Sequence, residues 1–211
     1  MKAAFLSLAM LVAANAASAA VIDTTTQTGF DFRCLGIDSS CGQTFGQIFT
    51  VGGPETYLSS FSFAPTAVQG SPLNVQFSIY SWSGTDKTGS ALFKSGVFAL
   101  TNTAGSTLLN YTPNLNLTQG NQYIAFLDTA NLGNSDNATS GFMYIGEKYS
   151  GGEFRWERNS GDGYWNGTGG DTQFRAVFTS APAAVPEPAS LALLVFGAAS
   201  LMGARRRKAA K

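Results

Sequence analysis

A period of two in the apolar residues narrows the fold more than any other feature of the chain. Val75, Phe77 and Ile79 alternate with Gln76, Ser78 and Tyr80, and Phe45, Phe49 and Val51 sit among polar neighbours across residues 43–51. Side chains that alternate in this way belong to strands with one buried and one wet face. The signal recurs and predicts further strands over residues 57–63, 91–100, 108–111, 122–127, 142–145, 152–157 and 173–179. Between the runs lie Gly52-Gly53-Pro54, Ser83-Gly84-Thr85-Asp86 and residues 131–137. Their residue types tolerate positive φ or bond their own backbone, and so make turns. No stretch of the central region keeps a helical period. Eight or nine short strands of this kind predict an all-β chain, an antiparallel β-sandwich that is jelly-roll-like, with a closed barrel as the alternative.

The two ends of the chain read differently. Lys2 precedes the apolar run Ala3 to Ala14, and Ala17-Ser18-Ala19 is a small-x-small cleavage site, the order found in a secretory signal peptide. Residues 1–19 are therefore expected to be removed by a cut after Ala19; a buried N-terminal helix is the rival reading. Near the other end, Pro186-Glu187-Pro188 is followed by sixteen apolar or small residues, Ala189 to Ala204, and by Arg205-Arg206-Arg207-Lys208. At about 1.5 Å per residue the apolar run spans about 24 Å, a short crossing of a hydrocarbon core about 30 Å thick. The basic cluster would stay on the cytoplasmic side, which leaves the domain outside. Both prolines resist a helix interior and hold Glu187 in an extended, accessible segment. The expected plan is a signal peptide (1–19), a sandwich domain (20–180), a linker bearing Pro-Glu-Pro (181–188), a transmembrane helix (189–204) and a basic tail (205–211).

Removing the ends changes the charge. Residues 20–184 hold seven Lys or Arg against twelve Asp or Glu, a net charge of −5. A mildly acidic domain argues against nucleic acid, whose binders present clustered cations to phosphate. Its length suits one domain with one core.

Two cysteines, Cys34 and Cys41, are separated by Leu-Gly-Ile-Asp-Ser-Ser. In an exported chain this spacing predicts a local disulfide. A structural zinc is the rival, but it wants four Cys or His ligands, and the chain has no histidine and no third cysteine. The lack of histidine also removes Ser-His-Asp and Cys-His catalysis. Paired carboxylates remain: Glu153 and Glu157 would share one strand face about 13 Å apart, beyond the about 5–9.5 Å that glycosidase pairs use. A partner such as Asp162 or Asp171 could come from elsewhere. Alternation with Arg155 and Arg158 fits a solvated strand face better, so no catalytic residue is assigned.

Residues 149–171 gather aromatic and polar side chains in a glycine-rich setting. Aromatic faces stack on sugar rings while carboxylates and amides bond the hydroxyls, so Trp156, Tyr164, Trp165, Glu153, Asp162 and Asp171 are candidate glycan-binding residues. The alternative is that the tryptophans fill the core. Asn159-Ser-Gly-Asp-Gly163 and Asn166-Gly-Thr-Gly-Gly-Asp171 offer hard oxygen ligands for calcium, but neither has EF-hand spacing and such clusters commonly form turns. No cofactor is expected.

Pro186-Glu187-Pro188, a short apolar helix and Arg205-Arg206-Arg207, in that order near the C-terminus, resemble the PEP-CTERM sorting signal over residues 185–208. The resemblance implies an exosortase as processing partner. This membrane-embedded transpeptidase would remove the helix after a transient stay in the inner membrane and pass the protein to the cell envelope or extracellular matrix. It further implies a setting of exopolysaccharide and biofilm. The central region, through Leu117 to Leu127 and Asp171 to Phe178, resembles β-sandwiches of the carbohydrate-binding type, an analogy of fold. The expected function is that of an exported, non-catalytic surface or matrix protein; a glycan-binding module and a carboxylate-dependent polysaccharide hydrolase are the alternatives.

Overall fold

A computed structural model describes residues 19–29, 31–38, 40–65, 68, 70, 72–101, 108–167 and 169–181. Ala17, Pro186, Glu187, Pro188, Arg205, Arg206 and Arg207, and the apolar run from Ala189 to Ala204, lie outside the described residues. Among the residues described, no helix is long and apolar enough to cross a membrane.

The described residues form β1 (Ala19–Asp23), β2 (Asp31–Gly36), β3 (Thr44–Thr50), β4 (Tyr57–Phe63), β5 (Leu73–Trp82), β6 (Lys87–Leu100), β7 (Leu109–Tyr111), β8 (Leu115–Asn116), β9 (Gln122–Asp128), β10 (Thr139–Tyr144), β11 (Phe154–Glu157), β12 (Asn166–Gly167) and β13 (Phe174–Thr179). One sheet has the order β1-β13-β4-β7, with β8 also on β4; the other runs β12-β11-β3-β9-β5-β6; β2 and β10 make a separate ribbon. Each of these strand pairings is antiparallel.

The predicted alternation builds the core. Leu73, Val75, Phe77 and Ile79 of β5 and Phe174, Ala176 and Phe178 of β13 turn inward and are buried. Phe61 of β4 bridges the layers, its ring 5.4 Å from Phe49, 5.6 Å from Phe77 and 5.7 Å from Phe174. Such ring pairs add about 0.5–1.5 kcal/mol each beyond area burial. Together these contacts make a two-layer antiparallel sandwich.

The expected strands are present, with shifted ends. β6 begins at Lys87 instead of residue 91, because Thr88, Gly89 and Ser90 are exposed on an edge strand and leave no alternation to read. β8 and β12 have two residues each, too few for any period. β1 falls across the expected signal-peptide cut, with Ala19 as its first residue. The turn before β9 is as expected: Gly120 has a φ of 81°, natural for glycine, and its N–H reaches Val51 O at 2.8 Å.

Cys34 and Cys41 form the expected disulfide, with Cα atoms 4.8 Å apart. The loop it closes is stitched by Gly36 N–H to Gly42 O and Gly42 N–H to Cys34 O, both 2.9 Å. It ties the end of β2 to the start of β3.

β9 departs from the one-faced pattern. Residues Tyr123 to Leu127 are all buried. Tyr123, Ala125 and Leu127 face the main core, while Ile124 and Phe126 join Ile48, Trp82 and Trp165 in a second cluster on the outer side of the six-stranded sheet.

Candidate functional site

β11 lies between β3 and β12 and exposes one face to that second cluster. Phe154 points into the main core, edge-on to Phe45 at 5.3 Å, and Trp156 packs half-buried against the same core. Arg155 and Glu157 therefore point to the opposite face of the sheet, the one covered by the second cluster. Trp165, from the connection between β11 and β12, stands edge-on to Trp82 at 5.7 Å and to Phe126 at 5.6 Å. Its Nε1–H donates to Asp86 Oδ1 at 3.0 Å, and the same oxygen accepts Lys87 N–H at 2.7 Å.

Lys87 Nζ lies 5.0 Å from the Trp165 ring and reaches Glu157 Oε2 at 3.6 Å. Glu157 is fully buried, and Gly161 N–H donates to its Oε2 at 3.2 Å. Its Oε1 and the Oγ1 of Thr44, its cross-strand neighbour, have no hydrogen-bond partner. Burial pushes the Glu157 carboxyl above its usual range, opposed by Gly161 N–H and Lys87. Arg155 donates to Glu153 and to Trp165 O and sits 6.0 Å from the Trp82 ring.

Beside this cluster opens a cleft of about 770 Å³. The buried Ile48 and Trp82 show their edges at its floor; Gln122, Glu147, Lys148, Ser150, Glu153 and Arg155 contribute polar groups; Gly84, Gly152 and Gly169 contribute backbone. The loop carrying Glu147 to Gly152 is held from below by Asp171. Only 1% exposed, Asp171 accepts Gln47 Nε2–H at Oδ1 (2.7 Å) and the backbone N–H groups of Lys148 (2.8 Å) and Tyr149 (2.7 Å) at Oδ2. Its own backbone pairs with Ile145 N–H and Gly146 O, both at 3.0 Å. Burial raises the Asp171 pKa, and those three donors act the other way.

Two more ties set the loop. Tyr149 OH donates to Thr50 O at 3.1 Å and accepts Thr50 N–H at 2.9 Å. A Cβ on Gly152 would fall 1.9 Å from Ile48 O, so only glycine fits where Ile48 N–H meets Glu153 O at 2.9 Å. The far side of the cleft is thereby mounted on β3.

The six residues singled out for glycan binding are not brought together. Glu153 lines the cleft. Trp165 is 8% exposed and fills the second cluster, and Trp156 is half-buried. Asp171 is buried, with its carboxylate occupied by internal donors. Tyr164 is 78% exposed on the neighbouring loop, where Asp162 Oδ1 accepts its N–H at 2.9 Å. The Asn159 to Gly163 segment is a turn closed by Asp162 N–H to Asn159 O at 3.2 Å. Among the described residues, no three His, Cys, Asp or Glu side chains gather in a way that could hold a metal ion.

Gln122, Glu147, Lys148 and Trp82 escape the sequence reading. They come from separate turns and strand ends, and no local spacing links them. The one sequence signal among them is Glu147-Lys148, an exposed charged pair directly after a glycine.

Residues 184–208 match the PEP-CTERM protein-sorting motif. The motif marks an exosortase substrate, exported and held as a membrane-anchored intermediate before reaching the cell surface. A comparison with curated proteins finds no match. Among solved structures, similarity is found to the cysteine protease and lectin-like domains of Cwp84, a surface layer associated protein of Clostridium difficile. The TM-score is 0.47 at 12% identity, over 72% of this chain and 36% of that one. Clostridial cysteine protease Cwp84 after propeptide cleavage gives a TM-score of 0.46 at 9% identity, over 72% of this chain and 41% of that one. The chain spans less than half the length of either.

Proposed function

We propose that the domain serves at the cell surface or in the extracellular matrix as a non-catalytic structural or adhesive component associated with exopolysaccharide and biofilm. One observation carries the non-catalytic part of this reading: three carboxylates near the aromatic loop, those of Glu153, Glu157 and Asp171, are held by partners within the domain. Glu157 is buried beside Lys87, Asp171 accepts three N–H groups, and Glu153 is paired with Arg155. A glycosidase of the usual kind needs two carboxyls free to reach one substrate, one as general acid and the other as base or nucleophile. The sorting motif supplies the outward destination, with the inner membrane as a transient station and an exosortase as the processing partner.

Intact mass of the protein from the producer's membrane, surface and extracellular fractions tests the reading. The expected result is loss of residues 1–19 and of the segment beyond Pro188, with the processed domain in the matrix fraction and no reducing sugar released from the producer's polysaccharide. An uncut chain confined to the membrane would overturn the matrix role, and released sugar would overturn the non-catalytic one. Glycan binding is a second reading, favoured by the cleft on the six-stranded sheet.

A further inference from the structure

We infer that the cleft between the β5–β6 turn and the loop carrying Glu147 to Gly152 is a binding site for a neutral, hydroxyl-rich glycan chain. The inference rests on the reading of the domain as a matrix component and gives that reading a ligand-binding surface.

Charge is the first ground. Glu147 and Glu153 are balanced by Lys148 and Arg155 among the lining residues. A polyanion would meet two carboxylates and a polycation two cations, so neither gains from the cleft as a whole. A sugar hydroxyl both donates and accepts, and it can use the exposed Glu147 carboxylate and Lys148 ammonium together with the Gln122 amide.

Shape is the second ground. A volume of about 770 Å³ lies within the range of about 300–1,000 Å³ found for small-molecule sites. Glycine backbone at Gly84, Gly152 and Gly169 lets a chain approach closely, over a floor formed by the edges of the buried Ile48 and Trp82.

Rigidity is the third. The loop is fixed through Asp171, Tyr149 and Gly152 before any ligand arrives, so little ordering remains to be done on binding. The aromatic loop holding Tyr164 supplies no lining residue.

Calorimetric titration of the processed protein tests the site. The probes are neutral hexasaccharides of glucose, mannose, galactose and N-acetylglucosamine, with a hexagalacturonate and a chitosan hexamer for contrast. At least one neutral hexasaccharide is expected to bind, and to lose about tenfold or more in affinity in Gln122→Ala and in Glu147→Ala. Both side chains are exposed, so the melting temperature should hold. Tyr164→Ala should bind as the parent does. The inference is overturned if no neutral probe binds, if only a charged probe binds, or if affinity survives the cleft variants.

Matrix recovery of the Gln122→Ala/Glu147→Ala variant separates this inference from the reading beneath it. Sugar binding by a parent protein that never reaches the matrix keeps the cleft and removes the matrix role. Matrix recovery with no sugar binding does the reverse.

Discussion

Gln47 Nε2 donates to Asp171 Oδ1 at 2.7 Å, joining residues 124 apart in sequence inside the sandwich. Gln47 cannot turn its amide around. Its Oε1 accepts Thr172 N–H at 3.0 Å, and its Nε2 also donates to Ile48 O at 3.1 Å. The pair therefore fixes the floor on which the cleft loop stands.

Replacing Asp171 by Asn should destabilise the protein although the shape is kept. One amide oxygen can serve the Lys148 and Tyr149 N–H groups, but the amide nitrogen then faces Gln47 Nε2, donor against donor. The cost expected for such an unmet buried group is about 1–3 kcal/mol, read from urea unfolding. A variant as stable as the parent would contradict the network.

The pH dependence of stability should carry the mark of Glu157. Burial raises its folded pKa, so between the unfolded and folded values the native protein holds a proton that the unfolded chain has released. The contribution is full below the unfolded value, near the ordinary 4.5, and is lost as pH rises through the folded value. Glu157→Gln should therefore show a flatter fall in stability above that pH than the parent does. Parallel unfolding curves for the two proteins across the acidic range would refute the assignment.

Adjacent aromatic residues should behave in opposite ways. Trp165→Ala empties the cluster formed with Trp82 and Phe126 and should cost about 3–5 kcal/mol. Tyr164→Ala, at a side chain 78% exposed, should stay within about 0.5 kcal/mol. Thermal melts of the two variants decide it.

Loss of the Cys34–Cys41 disulfide in a double alanine variant should cost about 2–3 kcal/mol, the chain-entropy value for so short a loop. The strands should persist by circular dichroism, because the bridge ties only the end of β2 to the start of β3.

The layers were legible because burial on one face writes a period of two into β5 and β13. The same logic hid the second cluster: Ile124 and Phe126 make β9 apolar throughout, and nothing local says what covers the outer face. In the sequence Trp165 reads as a binding residue because tryptophan among glycines suits a sugar platform. Its neighbours Trp82 and Phe126 are remote in sequence, so its burial could not be read. Asp171 likewise gives no local hint that Gln47 and the Lys148–Tyr149 backbone converge on it. A cleft assembled from β3, the β5–β6 turn, the start of β9 and a loop before β11 has no spacing of its own.

β13 lies between β1 and β4, with Ala20 opposite Phe178 across the β1 ladder and Leu58 opposite Phe178 across the β4 ladder. A tether leaving the domain just beyond Thr179 thus enters through a strand bonded along both edges. Tension along that strand is shared by two backbone ladders and by the buried Phe174, Ala176 and Phe178, and must shear them together before the chain yields. The arrangement gives a domain held by its C-terminal end mechanical strength where the pull arrives.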